Sequence, residues 1–120
     1  MTYELTSGII MYMKKKIKQA KTILTENRCE IPPKRGNGIL NISILQNECG
    51  DVLEYSLAYI NTRIFAKDNG RVIGYDSAHG NHHCHRMGKY ETIEFQSFDK
   101  ILELFEKEWR EYHENAKKRK

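Results

Sequence analysis

The chain has 120 residues, a mass of 14.1 kDa, 39% apolar and 30% charged residues, two prolines and a net charge of +4. That is one ordinary domain, long enough to bury roughly two-thirds of its extended surface and hold a core without disulfides or a structural metal. The composition excludes collagen, coiled-coil rods, repeat arrays and disordered polymers, and no apolar run approaches the ~18–20 residues that cross a bilayer.

From Ser7, the residues Ile9, Ile10, Met13, Ile17, Ala20 and Leu24 recur at three- and four-residue steps, which predicts a helix over 7–25. Its apolar start runs into Lys14, Lys15 and Lys16, the reverse of a signal peptide's order, so a cytoplasmic protein is expected. Residues 26–38, with Pro32-Pro33 and Gly36-Asn37-Gly38, read as a loop. Beyond it the period changes to two. Leu40, Ile42 and Ile44 alternate with polar neighbours, Gly50-Asp51 breaks the chain, and Val52 to Ala66 is a long strand-like run. Asn69-Gly70 then separates that run from Arg71–Asp76, the pattern of a two-residue type I′ hairpin. Glu91–Phe95 reads as a further short strand. Over 97–116, Phe98, Ile101, Leu102, Phe105, Trp109 and Tyr112 line one helical face, with Ser97 as cap and a basic tail over 117–120. The fold class expected is α+β: one domain, an antiparallel meander sheet of three to five strands over 39–96, with an N-terminal and a C-terminal helix.

Charge is distributed unevenly along this order. Residues 1–38 hold eight Lys or Arg against three Asp or Glu, residues 39–97 five against seven, and residues 98–120 seven against six. Basic clusters at both ends suit an anionic partner, nucleic acid above all, or else simply face solvent. The three cysteines, Cys29, Cys49 and Cys84, show no Cys-x-x-Cys spacing, which argues against a disulfide framework and a four-cysteine zinc site.

A two-residue loop at Asn69-Gly70 would set Arg63 opposite Asp76 and Ile64 opposite Tyr75. Ile60, Ile64, Ala66, Ile73 and Tyr75 would then face the core. Tyr59, Asn61, Arg63, Lys67 and Asp76 would form a polar, aromatic face where tyrosines such as Tyr55 and Tyr59 could stack on bases or merely cover the sheet.

Four of the five histidines, His79, His82, His83 and His85, fall within seven residues. If the segment from Asn81 is extended, His83 and His85 share one side and His82, Cys84 and Arg86 the other. Three chemistries could use such a cluster. A divalent metal such as zinc could be held by Asp76, His79, His83 and His85. The histidines could act as metal-free acid and base on RNA, since an unperturbed imidazole titrates near cellular pH, with Arg63, Arg71, Arg86 or Lys89 on the phosphate. Or the histidines could be idle surface groups.

Tyr75-Asp76-Ser77-Ala78, the following His79-Gly80 and the His83-Cys84-His85 pair resemble the TumE family, small toxins of bacterial and archaeal toxin–antitoxin systems. More loosely, the resemblance extends over about residues 39–112. It implies an endoribonuclease restrained by a cognate antitoxin, typically a small DNA-binding protein. The family often carries an arginine directly before the tyrosine, where this chain has Gly74, so that Arg71 or Arg63 would have to take its place.

The expectation is therefore a metal-free, toxin-like endoribonuclease without cofactor. His83 and His85 would be acid and base, and Asp76 would orient an imidazole, with His79 beside them. Arg63, Arg71, Tyr75, Arg86 and Lys89 are the substrate-binding candidates, Tyr75 packing rather than reacting. The expected partners are RNA and an antitoxin, with no membrane; a homodimer is compatible. The rivals are a non-enzymatic nucleic-acid-binding or antitoxin-binding module working through Lys14–Lys21, and a metal-dependent hydrolase or metal-binding protein.

Overall fold

The computed structural model describes residues 21–77 and 80–118. They form an α+β unit of six strands and one long helix. The strands are β1 (Thr22–Ile31), β2 (Gly38–Asn47), β3 (Val52–Ile60), β4 (Arg71–Asp76), β5 (His83–Arg86) and β6 (Lys89–Thr92), followed by the helix α1 (Phe98–Lys118). Every strand pairs antiparallel with its chain neighbour, in the order β1-β2-β3-β4-β5-β6.

The strand count exceeds the three to five expected, and the added strand at the front is β1. The expected N-terminal helix lies outside the described residues up to position 20, and its last positions, Thr22 to Thr25, open β1. Half of the expected 26–38 loop is also strand. All but the last residue of β1 are exposed, so no period-two apolar pattern marks it; its structure is fixed by the ladder to β2, from Thr22↔Asn47 to Ile31↔Gly38.

One face of the sheet packs on α1. Tyr55, Leu57 and Tyr59 of β3, Ile73 and Tyr75 of β4 and Cys84 of β5 are buried with Ile101 and Phe105 of the helix. Leu40 and Ile42 of β2 and Leu102, Trp109 and Tyr112 of α1 pack around them half-buried. The register explains the set: Leu40 faces Tyr59, Tyr59 faces Ile73, and Tyr75 faces Cys84, so one alternation continues across four strands. Ser97 caps the helix as expected, its Oγ accepting the amide of Lys100 at 3.1 Å.

The β3–β4 connection differs from the expected hairpin. β3 ends at Ile60, and residues 61–70 form a turn-rich link rather than a continuing strand. Asn61 ends the strand with its own groups. Its Oδ1 accepts the amide of Arg63 at 3.1 Å, and its carbonyl accepts the amides of Ile64 and Phe65. Asn69 and Gly70 do adopt positive φ, 54° and 83°, yet they close this longer link and not a two-residue loop. Asp76 therefore stands opposite Ser56, not Arg63, and Tyr75 opposite Leu57. Tyr59 and Asn61, expected on a polar face, are buried to 0% and 1% exposure. The two-residue turn lies instead at Met87-Gly88, with φ of 51° and 83°, where Arg86 pairs with Lys89.

Candidate active site

The sheet face away from α1 carries the even-numbered side of β4. There Asp76 pairs with His83, Gly74 with His85, and His85 with Tyr90 of β6. Alternation puts both imidazoles on the carboxylate's side and sends Cys84 and Arg86 to the helix.

One carboxylate holds both rings. Asp76 Oδ1 lies 3.3 Å from His83 Nδ1, and Oδ2 lies 3.1 Å from His85 Nε2. The side chains are largely buried, at 19% exposure for Asp76, 9% for His83 and 17% for His85. The Tyr90 ring packs against both imidazoles, its centroid 4.6 Å from that of His83 and 4.9 Å from that of His85. A shallow cleft lined by Ser43, Glu54, Ser56 and Ser77 opens along the sheet to Asp76.

Of the arginines, Arg71 reaches this group. Its Nη2 lies 3.1 Å from His85 Nδ1, and its Nε donates to Asp68 Oδ2 at 2.9 Å. Arg63 is elsewhere, its Nη1 donating to the carbonyl of Pro33 at 3.1 Å. Arg86 points to the helix, where its Nε donates to Glu108 Oε2 at 3.0 Å. Burial alone would weaken its positive charge, but the Glu108 hydrogen bond prevails and raises its pKa. Tyr75 also donates to Glu108, and burial with that bond pushes its hydroxyl pKa up, so it packs rather than titrates. Lys89 is exposed on β6 beside Arg86.

The histidine cluster is split by the strand. His82 stacks on Phe95 with centroids 4.0 Å apart, and its Nδ1 lies 2.8 Å from the Tyr55 hydroxyl. Burial, then the charge of Asp76, pushes that hydroxyl up to about 12, so it remains a donor at neutral pH. Burial likewise raises the Cys84 thiol, which disfavours the thiolate that a nucleophile or metal ligand needs. His79 lies outside the described residues. Among the described residues, no group of three or more His, Cys, Asp or Glu is arranged to hold a metal ion.

Sequence reasoning missed Tyr90, Asp68 and the part played by Gly74. The Met87-Gly88 turn was the available signal for Tyr90, since a two-residue loop there sets Tyr90 opposite His85.

Over residues 14–114 the sequence matches the family described as Toxin TumE, and the chain belongs to that family. No protein with a curated description and no solved structure matches it.

Proposed function

We propose that this member of the TumE family is the toxin of a toxin–antitoxin pair and an endoribonuclease that cleaves RNA by histidine acid–base catalysis, without a metal. The observation that carries this reading is the Asp76 carboxylate, with one oxygen on His83 and the other on His85, on the sheet face that α1 leaves open. A carboxylate behind an imidazole fixes its tautomer and stabilises the imidazolium that forms when it takes a proton. Two such imidazoles side by side suit a reaction that removes one proton and returns another.

In that reaction one imidazole takes the proton of a ribose 2′-OH. The 2′-oxygen bonds to phosphorus, the bond from phosphorus to the 5′-oxygen breaks, and the second imidazole, protonated, gives its proton to that oxygen. The products are a 2′,3′-cyclic phosphate and a 5′-hydroxyl. The partners are RNA and a cognate antitoxin, a small DNA-binding protein that covers the toxin.

The test is cleavage of end-labelled RNA by purified protein in the presence of a chelator, with the new ends identified. Cyclic phosphate ends, lost in His83→Ala and His85→Ala, support the reading. Cleavage that requires a divalent ion and leaves 5′-phosphates would replace it with the metal-dependent one. A folded protein that cleaves no RNA and does not slow growth on expression would leave a binding module.

A further inference from the structure

We infer that Arg71 is a phosphate-operated latch on His85, holding that imidazole unable to donate a proton until a phosphate of the substrate takes its guanidinium. The inference rests on the endoribonuclease reading and assigns the two histidines their separate roles.

The hydrogen bonds fix which nitrogen of each ring carries the proton shared with Asp76. A guanidinium only donates, and a carboxylate only accepts. His85, with Arg71 Nη2 at Nδ1 and Asp76 Oδ2 at Nε2, is therefore neutral with its proton on Nε2. That single N–H is spent on Asp76. His83 donates its Nδ1–H to Asp76 Oδ1, and among the described residues its Nε2 has no hydrogen-bond partner. In the free protein His83 therefore presents an open Nε2, the nitrogen a base needs, while His85 has no N–H to give. The groups facing His85 are Asp76, Arg71 and the ring of Tyr90, and Asp68 anchors Arg71 from behind.

The arginine reaches His85 because position 74 has no side chain. A Cβ on Gly74 would sit 2.9 Å from Arg71 Cδ and 3.2 Å from the carbonyl oxygen of Leu57. Gly74 is the residue paired with His85, so the bare backbone is the lane along which Arg71 crosses to it. The Arg71 side chain is 29% exposed.

A phosphate oxyanion is a stronger acceptor for a guanidinium than a neutral imidazole nitrogen. When it takes Nη2, His85 Nδ1 is released and takes a proton from water, and Asp76 supports the imidazolium through Nε2–H. The acid is then armed beside the phosphate that armed it. His83 Nε2 takes the 2′-OH proton, His85 Nδ1 gives its own to the 5′-oxygen, and both rings exchange protons with water before the next turnover.

The test uses the full chain with 15N-labelled histidine and reads two-bond proton–nitrogen correlations at pH 7. Without phosphate, His85 should show the neutral Nε2–H pattern. Inorganic phosphate should convert it to the imidazolium pattern, while sodium chloride at equal ionic strength should not. In Arg71→Met and in Gly74→Ala, which displaces the arginine without removing it, His85 should no longer start latched or respond to phosphate. Cleavage by Arg71→Met should fall by about 10²-fold, the usual loss for one positioned donor. A His85 that shows Nδ1–H in the phosphate-free wild type, or ignores phosphate, overturns the latch even if RNA is cleaved. A phosphate response in a protein that cleaves no RNA overturns the endoribonuclease reading and retains the latch as an anion site.

Discussion

The hydroxyl of Tyr59 lies 2.7 Å from Nδ1 of His113, joining the end of β3 to the last turns of α1. The bond is one link in a directed chain. Asn61 Nδ2 donates to the Tyr59 oxygen at 2.9 Å, and His113 Nε2 lies 2.9 Å from the carbonyl of Arg35. A carbonyl only accepts, so the His113 proton is on Nε2 and Tyr59 donates to Nδ1. The sheet, the helix and the exposed 33–35 turn are thereby held together through the buried side chains of Tyr59, Asn61 and His113.

Tyr59→Phe removes the central donor and leaves His113 Nδ1 buried without a partner. An unsatisfied buried acceptor costs about 1–3 kcal/mol. Denaturant unfolding should show a loss of that size, with little change in the dependence on denaturant. A loss below ~0.5 kcal/mol would mean that water or a shifted helix satisfies the nitrogen.

Much of this architecture is legible in the residues, and the failures have local causes. Leu40, Ile42 and Ile44 alternate because one side of β2 faces the helix layer, and Ser97 announces α1. The separation of His83 and His85 from His82 and Cys84 follows from strand alternation alone. β1 was illegible because its pairing is made by backbone groups and neither of its sides is buried. The β3–β4 register was misread because Asn69-Gly70 has turn chemistry in either a short or a long link. The deciding group is Asn61, whose side chain ends the strand eight residues earlier. Arg71 could not be ranked above Arg63, because its advantage depends on the absent side chain at position 74 once β4 and β5 are aligned.

Met87→Asn should stabilise the protein. Met87 has φ of 51° in a two-residue turn, where an ordinary side chain is strained and asparagine is tolerated. Met87 is 37% exposed, so the packing it loses is partial and offsets only part of the gain. A gain of about 0.5–1 kcal/mol is expected in thermal or denaturant unfolding. A loss would mean that the methionine's packing outweighs the turn strain.

Stability should fall steeply in alkali. Burial raises the hydroxyls of Tyr55, Tyr59 and Tyr75, that of Tyr55 from 10.0 to about 12. Above pH 10 the unfolded chain releases these protons while the folded protein keeps them, so rising pH favours unfolding; below that pH these groups add no slope. Each contributes up to ~1.4 kcal/mol per pH unit over its own window, which for Tyr55 closes near pH 12. Urea unfolding between pH 9 and pH 11 should show the decline, and Tyr55→Phe should make it shallower. An unchanged slope in Tyr55→Phe would exclude this hydroxyl as a contributor.

Asp76→Asn tests whether one group can hold two imidazoles. The carboxylate accepts from His83 at one oxygen and from His85 at the other. An asparagine keeps one acceptor and presents an NH2 group where the second was. Whichever imidazole meets that NH2 must turn its lone pair toward it and move its own proton to the far nitrogen. For His85 the far nitrogen already faces a guanidinium, which cannot accept, so the contact with Arg71 would break. For His83 the proton would block the nitrogen proposed as the base. Either choice disables one half of the acid–base pair while altering the side chain's volume very little. Cleavage should drop by about 10³–10⁴-fold, as expected when an imidazole is held in the wrong tautomer, with RNA affinity nearly unchanged. The histidine nitrogen correlations should show one ring with its proton moved. Full activity in a folded Asp76→Asn protein would remove Asp76 from the mechanism, and with it the reading of His83 and His85 as a pair working through one carboxylate.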